Sequence, residues 1–133
     1  MEKIIIVVGA SSDSFGAYGE NIDCMFGCGD TPEEAIENAK EGLRMAINSW
    51  TEEQIPDILK GEYEFDYKYD TQSILKHYLG IFTDPALKRI TGINPKQLHH
   101  YASGLKKPRE MQRKKIETAL NRLGGQLASM KLV

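Results

Sequence analysis

Neither half of this sequence carries both signs of charge in quantity. Residues 1–70 hold 5 lysines and arginines against 16 aspartates and glutamates, a net charge of −11. Residues 71–133 hold 12 against 3, a net charge of +9, so the halves nearly cancel in the whole chain at −2. Such a split implies two modules with different partners. The basic half suits a polyanion. The acidic half repels one and suits a basic protein.

Long apolar runs are missing too. The longest, residues 4–8, falls far short of the roughly 20 residues that span a bilayer. No signal-peptide pattern is present, and no membrane partner is expected. Cysteine is scarce: Cys24 and Cys28 have no second pair. Neither a disulfide framework nor a four-ligand zinc site is expected, and a cytoplasmic location fits best. The sequence lacks a glycine-rich phosphate loop, a Ser/His/Asp arrangement, internal repeats and a flexible Gly/Ser linker. Asp13, Asp23 and Asp30 are the carboxylates a metal-dependent nuclease would draw on. They fall in loops or at a helix start, whereas such chemistry needs them clustered at strand ends. The expectation is no enzyme, no cofactor and no metal.

What is present falls into clear segments. Residues 3–10 are β-branched and apolar and read as a buried strand. Residues 11–14 are small and polar, a loop. Residues 15–22 can return as a second strand, weakened by Gly16 and Gly19, and residues 25–28 can add a short third. Thr31 then opens a capping box, with Pro32 in the first helical position and Glu34 reaching back. Ile36, Ala39, Leu43, Ala46 or Ile47, and Trp50 fall on one stripe, which predicts an amphipathic helix of about 18 residues lying on a sheet. Thr51 and Gln54 offer a second capping box that Pro56 interrupts, so a short helix or turn is expected there. Residues 62–69 alternate strictly: Tyr63, Phe65, Tyr67 and Tyr69 share one face, a strand with a buried aromatic side. Asp70 can cap the next helix, whose stripe is Ile74, Leu75, Tyr78, Leu79 and Phe82. The charge changes sign here, placing the boundary between modules 1–69 and 70–133.

The chemistry concentrates in residues 87–108, LKRITGINPKQLHHYASGLKKP. Asp84 can cap a first helix, with Pro85 in its first position and Leu87 and Ile90 facing inward. Gly92 suits a tight turn needing positive φ. Asn94 and Pro95 start a second helix, Leu98, Tyr101 and Ala102 pack inward, and Gly104 ends it. The outer arc carries Lys96, His99, His100 and Ser103, with Gln97 at its edge. These donors and acceptors are of the kind that read base edges in the major groove. Lys106, Lys107 and Arg109 follow and can hold phosphates, with Lys76 and Arg113 adding affinity. Residues 109–123 read as a closing helix ended by Gly124 and Gly125, before a tail with Leu127, Met130 and Val133 at helical spacing.

Leu87, Gly92, Ile93, Leu98, Gly104 and Pro108, with Ile116, Ala119 and Leu120, resemble the Cro-like, phage-repressor class of helix-turn-helix domains. Lys88 departs from that pattern. It stands where the class usually has a small residue, so its stem must turn to solvent. The upstream half resembles the HicB family of antitoxins in Phe15 to Tyr18, Gly29, Asp30, Thr31, Glu33, Glu34, Ala35, Asn38 and Ala39. The family's proline-glycine-cysteine turn is replaced by Asp23, Cys24 and Met25. The resemblance implies an α+β chain: a partial ribonuclease-H-like α/β module followed by an all-α helix-turn-helix domain. It further implies an antitoxin that neutralises a small basic HicA-like RNA-cleaving toxin and represses its own genes on operator DNA. A homodimer or larger homo-oligomer is expected on that DNA, with recognition helices about 34 Å apart on a palindrome. A stand-alone regulator with an N-terminal sensing or assembly module is the alternative.

Overall fold

A computed structural model describes every residue except Ser12, and it is α+β. The chain divides into two compact units, Met1–Ser73 and Ile74–Val133. Among the described residues no helix is long and apolar enough to cross a membrane.

In unit 1 the isoleucine- and valine-rich segment forms strand β1, Glu2–Ala10. It pairs antiparallel with β2, Phe15–Gly19, which pairs antiparallel with β3, Phe26–Gly29. Helix α1, Pro32–Ser49, follows, and the chain returns as β4, Tyr63–Tyr69, parallel to β1. The sheet order is β3-β2-β1-β4. The expected loop over residues 11–14 includes Ser12, outside the described residues; beside it the Ser11 amide donates to the Ser14 carbonyl at 2.9 Å.

Of three expectations for this unit, one holds and two need correction. β1 is the expected buried strand, with Ile4, Ile6 and Val8 fully buried on one face and Ile5 and Val7 partly buried on the other. An apolar run cannot reveal by itself that a helix covers one face only. The second strand stops at Gly19, because the Asn21 side chain takes over its pairing. Asn21 Oδ1 accepts from the Ile5 amide at 2.9 Å and its Nδ2 donates to the Lys3 carbonyl at 2.7 Å. The aromatic face of β4 is half covered. Tyr63 and Phe65 pack on the core, while Tyr67 and Tyr69 are exposed at this edge strand. Lys40 of α1 spans the step, its Nζ 4.9 Å from the Phe65 ring centroid and 5.1 Å from that of Tyr67.

Helix α1 starts as expected, with the Thr31 hydroxyl accepting from the Glu34 amide at 3.1 Å. After it, Gln54 Oε1 accepts from the Thr51 amide at 2.9 Å. This closes a 3₁₀ turn, Glu52–Gln54, before Pro56 and a second one at Asp57–Leu59. Helix α1 sits close on β3. Ala35 and Ala39 are fully buried, and Asn38 Nδ2 donates to the Cys28 carbonyl at 2.6 Å. A Cβ on Gly27 would lie 2.2 Å from the Ala39 nitrogen, and one on Gly29 would lie 2.7 Å from the Ala35 nitrogen.

Helix α2, Thr71–Tyr78, begins where Asp70 Oδ1 accepts from the Ser73 amide at 2.7 Å, and a 3₁₀ turn, Leu79–Ile81, follows it. Helices α3, Asp84–Thr91, α4, Pro95–Ser103, and α5, Glu110–Ser129, complete unit 2. Its core is Leu75, Leu79, Leu87, Ile93, Leu98, Tyr101 and Ile116, with Phe82, Ala102 and Leu120 against it.

Two helix ends differ from expectation. The cap of α3 is Thr83, whose hydroxyl accepts from the Ala86 amide at 3.3 Å. Asp84 and Pro85 therefore sit one position further inside. Helix α5 does not stop at Gly124 and Gly125 but runs to Ser129. Glycine inside a helix costs only about 1 kcal/mol relative to alanine, and neither residue adopts the positive φ that would end the helix.

Candidate nucleic-acid interface

The turn between α3 and α4 is built by local chemistry. Gly92 has φ 71° and caps α3, its amide donating to the Lys88 carbonyl at 2.8 Å. Thr91, buried and not singled out from the sequence, ties the turn together. Its hydroxyl donates to the Leu87 carbonyl at 2.8 Å and accepts from the Ile93 amide at 3.1 Å. Asn94 Oδ1 then accepts from the Lys96 amide at 3.0 Å to start α4, and Gly104 ends it at φ 82°. Lys88 is exposed, as its position before the turn requires.

Beside this turn lies an open concavity of about 560 Å³. Of the eight side chains read as DNA contacts, it brings together Lys96, Gln97, His100 and Lys106. It adds Gln112 and Lys115 of α5. Lys115 reaches over the turn: a Cβ on Gly92 would stand 3.5 Å from its Nζ. Gln97 is held in place by its Nε2 donating to the Tyr101 hydroxyl at 2.8 Å. His100 contributes a buried Nδ1 that has no hydrogen-bond partner among the described residues.

The other four do not line the concavity. His99 Nε2 stands 2.9 Å from Asp84 Oδ1. Ser103 turns back on its own helix, its hydroxyl donating to the His100 carbonyl at 3.1 Å. Lys107 and Arg109 are exposed beyond the end of α4, and the Arg109 carbonyl accepts from the Arg113 amide as α5 begins. Sequence reasoning missed Lys115 and Gln112 because they lie about twenty residues after the turn and only the fold returns them to it. The surplus of lysine and arginine at residues 113–115 was the one available signal.

Among the described residues no group of three His, Cys, Asp or Glu side chains is placed to hold a metal ion. Both cysteines are free; Cys28 is exposed, and burial followed by the nearby Asp23 charge raises the pKa of Cys24 despite an opposing backbone hydrogen bond. The thiolate is the reactive form, so iodoacetamide is expected to label Cys28 well before Cys24, as followed by peptide mass spectrometry. Comparison with protein-family models, with curated proteins and with solved structures found no match to this chain.

Proposed function

We propose that the chain is a DNA-binding antitoxin. Unit 2 binds operator DNA and represses the chain's own genes, and unit 1 neutralises a small basic HicA-like toxin. The observation that carries this reading is the concavity at the start of α4. There Lys96, Lys106 and Lys115 converge with Gln97 and His100, in the half of the chain whose net charge is +9. A helix that starts in a polar, cationic hollow suits entry into a major groove flanked by phosphates. A homodimer would place two such helices about 34 Å apart on a palindrome. In unit 1, three antiparallel strands, a helix and a fourth strand parallel to the first support the ribonuclease-H-like reading. Its charge of −11 complements a basic toxin.

Lys96 and Lys115 are assigned different tasks. Lys96→Ala should relax specificity at one base pair by about 1–3 kcal/mol. Lys115→Ala should weaken binding equally on all sequences and lower the salt slope by about 1. Binding titrations on single-base operator variants separate the two. The whole reading is tested by purifying the protein from its native cells at moderate salt and weighing what accompanies it. A stoichiometric small basic companion is expected. A bare homo-oligomer that still binds its own promoter would replace the antitoxin with a stand-alone regulator.

A further inference from the structure

Helix α1 covers one face of the unit 1 sheet, and the strand register shows what the other face presents. Tyr18 pairs with Val7 on one side and with Phe26 on the other, and Val7 pairs with Lys68. One row therefore crosses all four strands as Phe26, Tyr18, Val7 and Lys68. Ile5 lies in the next row beside Asp66. Phe26 is 63% exposed and Tyr18 48%, so the aromatic end of the row is open. Single exposed apolar side chains are ordinary on protein surfaces, whereas a contiguous patch rimmed by polar groups marks an interaction site.

The charges around the patch select its occupant. Unit 1 has five cationic side chains, and each stands within 4.0 Å of a carboxylate. Lys3 pairs with Glu64, Lys40 with Glu37, Arg44 with Glu41, Lys60 with Asp57 and Lys68 with Glu20. Lys68, at the end of the row, is paired with Glu20, and Lys3–Glu64 stands beyond the Ile5–Asp66 row on the same face. The surplus of eleven carboxylates is thus left to set the field. A second copy of this unit would bring the same negative surplus, and a nucleic acid would bring phosphates; both are repelled. A protein surface with an apolar centre and a lysine- or arginine-rich rim meets the face with matching potential.

We infer that the open sheet face centred on Phe26 and Tyr18 is the docking surface for a basic protein partner, an inference that rests on the proposed antitoxin role of unit 1. The test places the photo-crosslinker p-benzoylphenylalanine at Phe26 of the full chain in its native cells, and separately at Met45, an exposed residue of α1. The aromatic replacement at an exposed position preserves the fold, which circular dichroism checks. Phe26 is expected to crosslink one small protein of net positive charge, and Met45 to crosslink none. That protein, purified, should bind the full chain, and Tyr18→Ser with Phe26→Ser should weaken the complex by about 100-fold. Crosslinking from Met45 alone, or binding unchanged in the double variant, would overturn this surface and leave the antitoxin reading standing. Crosslinks only to a second copy or to nucleic acid, or none at either position, would overturn the inference. The co-purification experiment would then decide the antitoxin reading separately.

Discussion

Gly27→Ala is expected to destabilise unit 1 by about 3 kcal/mol, the upper end of what overpacking costs. The added methyl would fall 2.2 Å from the Ala39 nitrogen and 2.7 Å from the Ala35 carbonyl oxygen. Both are backbone atoms of α1, so no side-chain rotation relieves the clash. The helix must retreat by roughly an ångström, a shift a close-packed interior does not absorb. Retreat would also strain the Asn38 bond to the Cys28 carbonyl and loosen Ile36 and Leu43 from Ile6 and Ala17 in the same core. Trp50, the only tryptophan, packs on that core and reports on it. Urea titrations followed by its fluorescence should show a lower midpoint at similar slope. A loss below about 0.5 kcal/mol, within the range of ordinary surface substitutions, would contradict the close seat of α1 on β3.

Leu98→Ala should cost unit 2 about 2–5 kcal/mol, the range for a buried leucine truncated to alanine. Leu98 is fully buried and is the inward residue of α4, sharing a core with Leu87, Tyr101 and Ile116. Only seven buried side chains make up that core, and a unit of about 60 residues has little stability in reserve. The variant should lose far-UV circular dichroism at lower urea and bind DNA poorly, because α4 would no longer be held against α3 and α5. DNA affinity should recover in part at low temperature or with excess operator, since ligand binding favours the folded state. Unaltered dichroism and affinity would mean that α4 is not anchored through this residue.

The sequence signals are legible where the deciding chemistry is local. The threonine-proline-glutamate start and the apolar stripe of α1 announce its onset and length, and Gly92, Asn94 and Gly104 announce the ends of α3 and α4. The signals fail where a distant segment decides. Gly27 looks like any strand glycine until α1 lies across it. The HicB-like residues Gly29, Ala35, Asn38 and Ala39 gather at that same contact, so much of the resemblance is carried by residues that seat a helix on a sheet. The alternation of β4 identifies a strand but not its edge position, which leaves Tyr67 and Tyr69 exposed. His99 and Ser103 lie on the outer arc of α4 as expected. Asp84 engages the first, and the end of the helix engages the second. Lys115 enters the site only through tertiary folding.

The most direct measurement is a titration of the full chain against the DNA upstream of its own gene, over a range of salt concentrations, beside a shuffled duplex. The account predicts about 10³-fold or greater preference for the upstream DNA. It also predicts a linear fall of log affinity with log salt, whose slope drops by about 2 when Lys106 and Lys115 are both replaced by alanine. Equal affinity for both duplexes, or a slope indifferent to those two lysines, would contradict the assignment of the concave face beside α4 to operator DNA.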